Sequence, residues 1–544
     1  MGRDFVVGAA AVALLAGCGD GEPAADSPAV PDSLRHGGTA VVASLAEINS
    51  MNHFASMDEP SQEVQSFVLF TPLIRYDRSL APTPYLAESW DTVTTRSGSL
   101  VLTFRLRDDV KWHDGVPTSA YDVKFTFERI KDPLTSYPHA SLLAPYDSAV
   151  VADSFTIVFH LTRHPGFMDP WRRISPMPEH ILGDVAPADL VHHPFGTESP
   201  LGNGPFRFVE HRSGDRWVFE ANPDFAESLG GRPYLDRLVY RYIPEPTIRL
   251  AELLAGEVDV YLVVAPDQVS EIEARPDARV ITYENRNYAF INWNGRRTFF
   301  QDPRVRRALT LAIDRQRIVD VARQGLGRVA QGPVPPFHWA YNTDMEPLQY
   351  DPARARALLD SAGWVDQDGD GVREKDVYKA SFELKTNQGN PTREQIMTLV
   401  QADLAQVGVK VNLRIQEGQS LRADITNPER RFDAFVLGWS ADFNLDDRII
   451  FACSQLDGPY QWASYCNPRV DEILDQVAMM VDRSRALPLW HEYQEILQWE
   501  QPYTFLYYDV RANAVRARVR DVEMDIRGDF VNVTDWWIAP ADRR

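Results

Sequence analysis

The chain has 544 residues, 44% hydrophobic and 24% charged, which is too long for one core and supplies apolar material for two or more lobes. It carries 56 Lys and Arg against 77 Asp and Glu, a formal net charge of −21, and a field of that sign argues against a general nucleic-acid or anionic-membrane surface. Three cysteines occur, Cys18, Cys453 and Cys466, and none stands in a zinc-ligand spacing.

Residues 1–18 read MGRDFVVGAAAVALLAGC, with Arg3 ahead of an apolar run from Val6 to Ala16. That run is shorter than the roughly 20 residues a bilayer span needs, and it suits a signal peptide. Its end, Leu15-Ala16-Gly17-Cys18, resembles a bacterial lipobox, which implies Cys18 as the lipid-modified first residue of the mature chain. Residues 19–36 are rich in Gly, Pro, Ala, Ser and Asp and read as a flexible tether. No other segment has transmembrane length, so an anchored protein with its body in water is expected.

Beyond the tether, Thr39 to Leu45 reads as a buried strand and Glu63 to Phe70 as a helix. Leu100 to Leu106 and Thr156 to Leu161 alternate as strands, and Ala120 to Ile130 has helical spacing with Asp122 near its start. Arg216 to Glu220 and Arg237 to Tyr242 are strands, and Ile248 to Ala255 is a helix ending at Gly256. Pro303 to Arg323 reads as one long helix opened by proline. Helices follow at Pro352 to Ala362, closed by Gly363, and at Thr392 to Gln406, with a strand at Lys410 to Ile415. Pro468 to Met480 and Ala486 to Gln498 are helical, and Thr504 to Tyr508 is a strand. Alternation at these lengths predicts α/β lobes.

Several short motifs occur in a fixed order: Leu86-Ala87-Glu88-Ser89-Trp90, then Val110-Lys111-Trp112-His113-Asp114-Gly115, then Gly202-Asn203-Gly204-Pro205-Phe206. Asn222-Pro223-Asp224-Phe225, Ala255-Gly256-Glu257-Val258-Asp259, Val305-Arg306-Arg307-Ala308-Leu309, Ala362-Gly363-Trp364 and Gly438-Trp439 follow. The ordered set, from about residue 37 to 540, resembles the peptide/nickel-binding family of extracytoplasmic solute-binding proteins, family 5. The resemblance implies a class II periplasmic-binding-protein-like clamp of two α/β lobes with mixed sheets and an extra subdomain in the first. The lobe I core would comprise 37–80, 201–286 and 511–544, the extra subdomain 81–200, and lobe II 287–510. The hinge crossings would lie near Asn287 to Asn294 and Pro502 to Asp509. The implied function is capture of short peptides for a membrane ABC permease, by a monomer that performs no chemistry on its ligand. The same fold binding an oligosaccharide or a metal chelate, or acting as a sensor lipoprotein, is the alternative.

In peptide-binding members an acidic residue holds the ligand's ammonium, and Asp442 occupies that position within Gly438-Trp439-Ser440-Ala441-Asp442-Phe443-Asn444. A carboxylate facing an ammonium in a dry cleft is a strong contact. Trp439, Gly438 and Phe443 would form the wall, and Asn294, Asn49 and Met51 are further candidates. The chain departs from the family in having Val436 where some oligopeptide binders carry arginine, and in having Asp446 and Asp447 soon after Asp442. Those acids suit either a cationic ligand or solvent. His113 reads as scaffold.

Asp366, Asp368, Asp370 and Glu374, with Gly371 at the turn, match the first part of a calcium loop, but the twelfth position is Val377. A structural calcium and an acidic surface loop fit equally. No cofactor is otherwise expected. No HExxH, G-x-S-x-G or phosphate loop is present. Cys453 and Cys466 either bond or stay free thiols.

Overall fold

The computed structural model describes residues 31–56, 58–162, 166–480 and 482–544. The signal segment, Cys18 and the first part of the tether lie outside the described residues. The end of the expected tether is structured: Asp32–Arg35 is a short helix, and Asp32 accepts a hydrogen bond from Tyr234 Oη at 2.7 Å.

One twisted mixed sheet runs through the molecule. On one side, parallel strands Thr39–Ser44 and Arg237–Tyr242 lie beside the antiparallel pair Arg216–Ala221 and Phe206–Arg212. On the other, Ser381–Asn387 pairs in parallel with Lys410–Gln416 and, at two positions, with Ala434–Ser440. Two long strands, Ala278–Trp293 and Tyr503–Arg516, join the halves by pairing antiparallel with each other. The register shifts between Glu284↔Val510 and Tyr288↔Tyr508. That interruption falls where the neighbours change from Val260–Tyr261 on one side to Ala434–Ser440 on the other. Separate apolar cores flank it, one around Phe70, Trp112 and Trp217, others around Trp293 and Trp364 and around Phe290, Trp462 and Trp490. A sheet whose two joining strands break their ladder between the first core and the other two can bend there without unpacking any of them.

A four-stranded antiparallel sheet, Ala87–Thr94, Leu100–Leu106, Thr156–Leu161 and Tyr146–Asp153, stands apart and packs against helix Ala120–Lys131. Ser119 and Asp122 cap that helix reciprocally, as the early acid predicts. The sheet face buries Phe104, Tyr146, Phe159 and Trp171, with the Phe159 and Trp171 rings 4.4 Å apart.

Three elements differ from the sequence reading. The helix expected at 303–323 is two, Pro303–Ala312 and Arg315–Ala322, because Asp314 turns its carboxylate onto the Arg317 amide and caps a new start. The helix expected at 63–70 is an α-turn from Glu59 to Val64 that widens into a π-helix over Gln65–Leu69. The strand expected at 504–508 continues to Arg516, because the lobe-crossing ladder supplies its partners. Gly202 and Gly204 are required by approach rather than by φ: a Cβ at either would collide with the Leu69 backbone at the end of the π-helix. Cys453 and Cys466 form a disulfide with Cα atoms 4.6 Å apart. Among the described residues no helix is long and apolar enough to cross a membrane.

Candidate functional site

Two adjoining cavities, of about 360 Å³ and about 490 Å³, lie where the lobes meet and share Glu59, Glu63, Asn285 and Arg511 as lining. Asn285 and Arg286 come from the interrupted stretch of the crossing strand, so the cavity floor lies at the break in the lobe-joining ladder. The first cavity adds Tyr76, Arg172, Arg173 and Phe443.

Each wall is held by a local device. Trp171 is 1% exposed and donates through Nε1 to Tyr146 Oη at 2.8 Å. It fastens the short helix Asp169–Arg173 to the four-stranded sheet, which leaves Arg172 and Arg173 turned to the cleft. On the opposite wall, Phe443 is fixed at both ends. Its carbonyl meets His338 Nε2 at 3.0 Å, and its ring packs edge-on against Phe337 and Tyr76. The Ala340 amide donates to His338 Nδ1, so the proton sits on Nε2 and is donated to Phe443. Burial pushes the His338 pKa down to about 3, keeping the ring neutral at any ordinary pH.

The segment after Gly438 reaches across the cleft. The Ala441 amide donates to Arg286 O at 3.0 Å, extending the ladder past Ser440. Asp442 then meets Arg173 at 3.0 Å and Arg286 at 3.8 Å. Arg172 lies 4.6 Å from the Phe443 ring centre and 5.2 Å from that of Tyr76. Asn444 packs so closely on Gly166 that a Cβ there would come within 2.5 Å of its amide. These contacts bring the lobes together at this edge.

At the floor, Arg511 on the second crossing strand pairs with Glu59 at 2.7 Å and Asp529 at 2.8 Å. Glu63 stands beside them and accepts from the Asp529 amide at 3.0 Å. Burial, then the charges of Asp529 and Glu59, push its pKa up to about 8 against the pull of Arg511.

The sequence candidates separate. Phe443 lines the cavity. Asp442 stands at its rim, 65% exposed in its side chain and already engaged by arginine, rather than buried and unpaired. Trp439 packs edge-on against Tyr460 and Trp462 and does not line either cavity, and Gly438 is exposed on the same strand. Asn294 is 1% exposed and spends its amide on the Arg430 and Phe432 carbonyls, so it is scaffold. Met51 is wholly buried in the lobe core, and Asn49 is tied to Asp58 and lines neither cavity. Neither acid after Asp442 lines either cavity: Asp446 pairs with Arg448 at 2.5 Å, and Asp447 is buried under Tyr493 Oη at 2.6 Å. His113 is held by the Gly204 carbonyl at 3.0 Å, as a scaffold residue would be.

Oxygens of Asp366, Asp368 and Glu374 lie within 4.8 Å of one another. The Lys379 ammonium rests between Asp368 and Asp370, so an internal cation already meets part of that charge.

Two lobes joined by paired strands around an open, polar-rimmed cleft define a solute-binding protein of the periplasmic-binding-protein fold. The chain belongs to the bacterial extracellular solute-binding proteins, family 5, whose middle region matches residues 81–456. It is 33% identical over 509 residues to the oligopeptide-binding protein AppA of Bacillus subtilis, covering 93% of this chain and 92% of that one. The structure of AppA from Bacillus subtilis in complex with a nonapeptide superposes with TM-score 0.74 at 32% identity, over 93% of this chain and 99% of that one. NikZ from Campylobacter jejuni, solved in complex with Ni(L-His), does so with TM-score 0.73 at 26% identity, over 93% and 100%.

Proposed function

We propose that this protein captures short peptides in the cleft between its lobes and presents them to a membrane ABC permease. The observation that carries the reading is the hinge-floored cavity, walled by Arg172 and Arg173 from one lobe and Phe443 from the other. The strand edge from Leu437 to Ser440 adds support. One side of the strand is paired throughout, while on the other side Ser381–Asn387 pairs only with Ala434 and Phe435. An open edge beside a cleft can take an extended peptide as an added strand. Oligopeptide binding by the B. subtilis relative points the same way. The protein acts as a binding protein and not as an enzyme, as a monomer, tethered outside the cytoplasmic membrane through lipid on Cys18.

Native mass spectrometry of residues 19–544, followed by denaturation and identification of released molecules, tests the reading. Co-purified peptides are the expected result. A released sugar or metal chelate, with no peptide competing for its place, would overturn it.

A further inference from the structure

The chain is acidic overall, yet one corner of the cleft concentrates positive charge. Arg172 and Arg173 approach from one lobe and Arg286 from the hinge strand, all three lining the cavity beside Phe443. Asp442 pairs with Arg173 and Arg286, while Asp169 acts on Arg172, and Glu59 and Glu63 on Arg286, through space. Among the described residues no carboxylate lies within ion-pairing distance of Arg172. Its guanidinium rests on the Tyr76 and Phe443 rings, and the Nε atoms of Arg172 and Arg173 are buried without a hydrogen-bond partner.

Unpaired buried N–H groups on a cation are costly. The electrostatics carry the same mark. Burial and then the neighbouring Arg173 depress both Arg172, to about 10, and Arg286. Elsewhere in the cavity Arg511 is balanced by Glu59 and Asp529 and Arg527 by Asp525, while Arg75 rests on the Phe67 and Tyr85 rings. Arg172, Arg173 and Arg286 are the cations that converge beside Phe443, and the Trp171 anchor holds the first two in place.

We infer that Arg172, Arg173 and Arg286 form an anion subsite that takes a carboxylate of the bound peptide, so that the protein selects peptides carrying a negative group at this end of the cleft. The inference rests on the peptide reading above and adds the ligand's charge to it. A guanidinium presents paired N–H donors matched to a carboxylate, and such contacts are about twice as strong as neutral hydrogen bonds. The carboxylate belongs to an acidic side chain or to the peptide C-terminus.

Four pentapeptides separate the sources: Ala-Ala-Glu-Ala-Ala and Ala-Ala-Gln-Ala-Ala, each with a free and an amidated C-terminus, titrated calorimetrically into the full mature chain. Arg172→Gln and Arg286→Gln are titrated alongside, with circular dichroism and thermal melts confirming that they fold. The expected result is at least about tenfold weaker binding when the recognised carboxylate is removed. That dependence should shrink to about twofold or less in both variants. A Glu-to-Gln effect assigns the side chain, and a free-to-amide effect assigns the terminus. Equal binding of all four peptides would overturn the inference and leave the peptide reading standing. So would a charge dependence that survives both substitutions. Failure of every peptide to bind would overturn both.

Discussion

Asp442 shows how a residue type can be right while its setting is missed. Its charge is already shared with Arg173 and Arg286. A ligand ammonium must then compete with a guanidinium, and it gains only the difference between the two contacts. Asp442→Asn is expected to remove a preference for free over N-acetylated peptides, measured as a ratio of dissociation constants; an unchanged ratio would relieve Asp442 of that role. Five residues on, burial pushes the Asp447 pKa up to about 7, aided by Asp446 and Asp442 and opposed by the Tyr493 hydrogen bond. A carboxyl whose folded pKa is raised keeps its proton when the unfolded chain has lost its own. Its contribution is therefore intact below about pH 4 and is lost as pH rises towards 7. Asp447→Asn should stabilise the protein at pH 8 relative to pH 5, by an amount on the order of a few kcal/mol, in paired denaturant melts. Unaltered pH dependence would place the titration elsewhere, with Glu63 the next group to substitute. None of this was legible in the sequence. The Asp442 motif carried the position, while its partner Arg173 lies 269 residues away and belongs to no motif.

At the scale of elements, the cleft depends on small anchored pieces. The helix Asp169–Arg173 has five residues and is held by the burial of Trp171 against Phe104, Tyr146 and Phe159. Trp171→Ala should cost about 3–5 kcal/mol of stability, and should weaken ligand binding as the two arginines lose their platform. Retained affinity in a folded Trp171→Ala protein would mean that the arginines are positioned otherwise. The disulfide between Cys453 and Cys466 closes a loop with a sequence separation of 13. Opening it by Cys453→Ser with Cys466→Ser should lower stability by about 3 kcal/mol in denaturant melts. Most elements were readable because each carries its own signal, such as Ser119 and Asp122 at a helix start or the alternation of Leu100–Leu106. Those misjudged were decided by a single local cap or by a partner remote in sequence. Asp314 breaks a continuous apolar pattern with one carboxylate, and strand Tyr503–Arg516 owes its length to Ala278–Trp293.

Across the whole molecule, the sheet is continuous while the cores are separate, and the ladder breaks at 285–287, where the cavity has its floor. The ladder break and the cavity floor therefore share Asn285 and Arg286. A ligand touching both lobes stabilises the closed arrangement by its differential affinity. At a concentration one hundred times its dissociation constant, such a ligand adds about 2.7 kcal/mol to stability. The family resemblance made the clamp legible from the ordered motifs, but it could not supply the charge of the cleft, because Arg172, Arg173 and Arg286 become neighbours only on folding.

The most direct test of capture between the lobes is hydrogen–deuterium exchange of the full mature chain, with and without saturating peptide. Slower exchange is predicted in four segments at once: around Glu59 to Phe67, at Arg172 and Arg173, at Tyr283 to Arg286, and at Ala441 to Phe443. The first two belong to one lobe, the third to the hinge and the last to the other lobe. Protection confined to a single lobe, or to a surface outside these segments, would contradict the account.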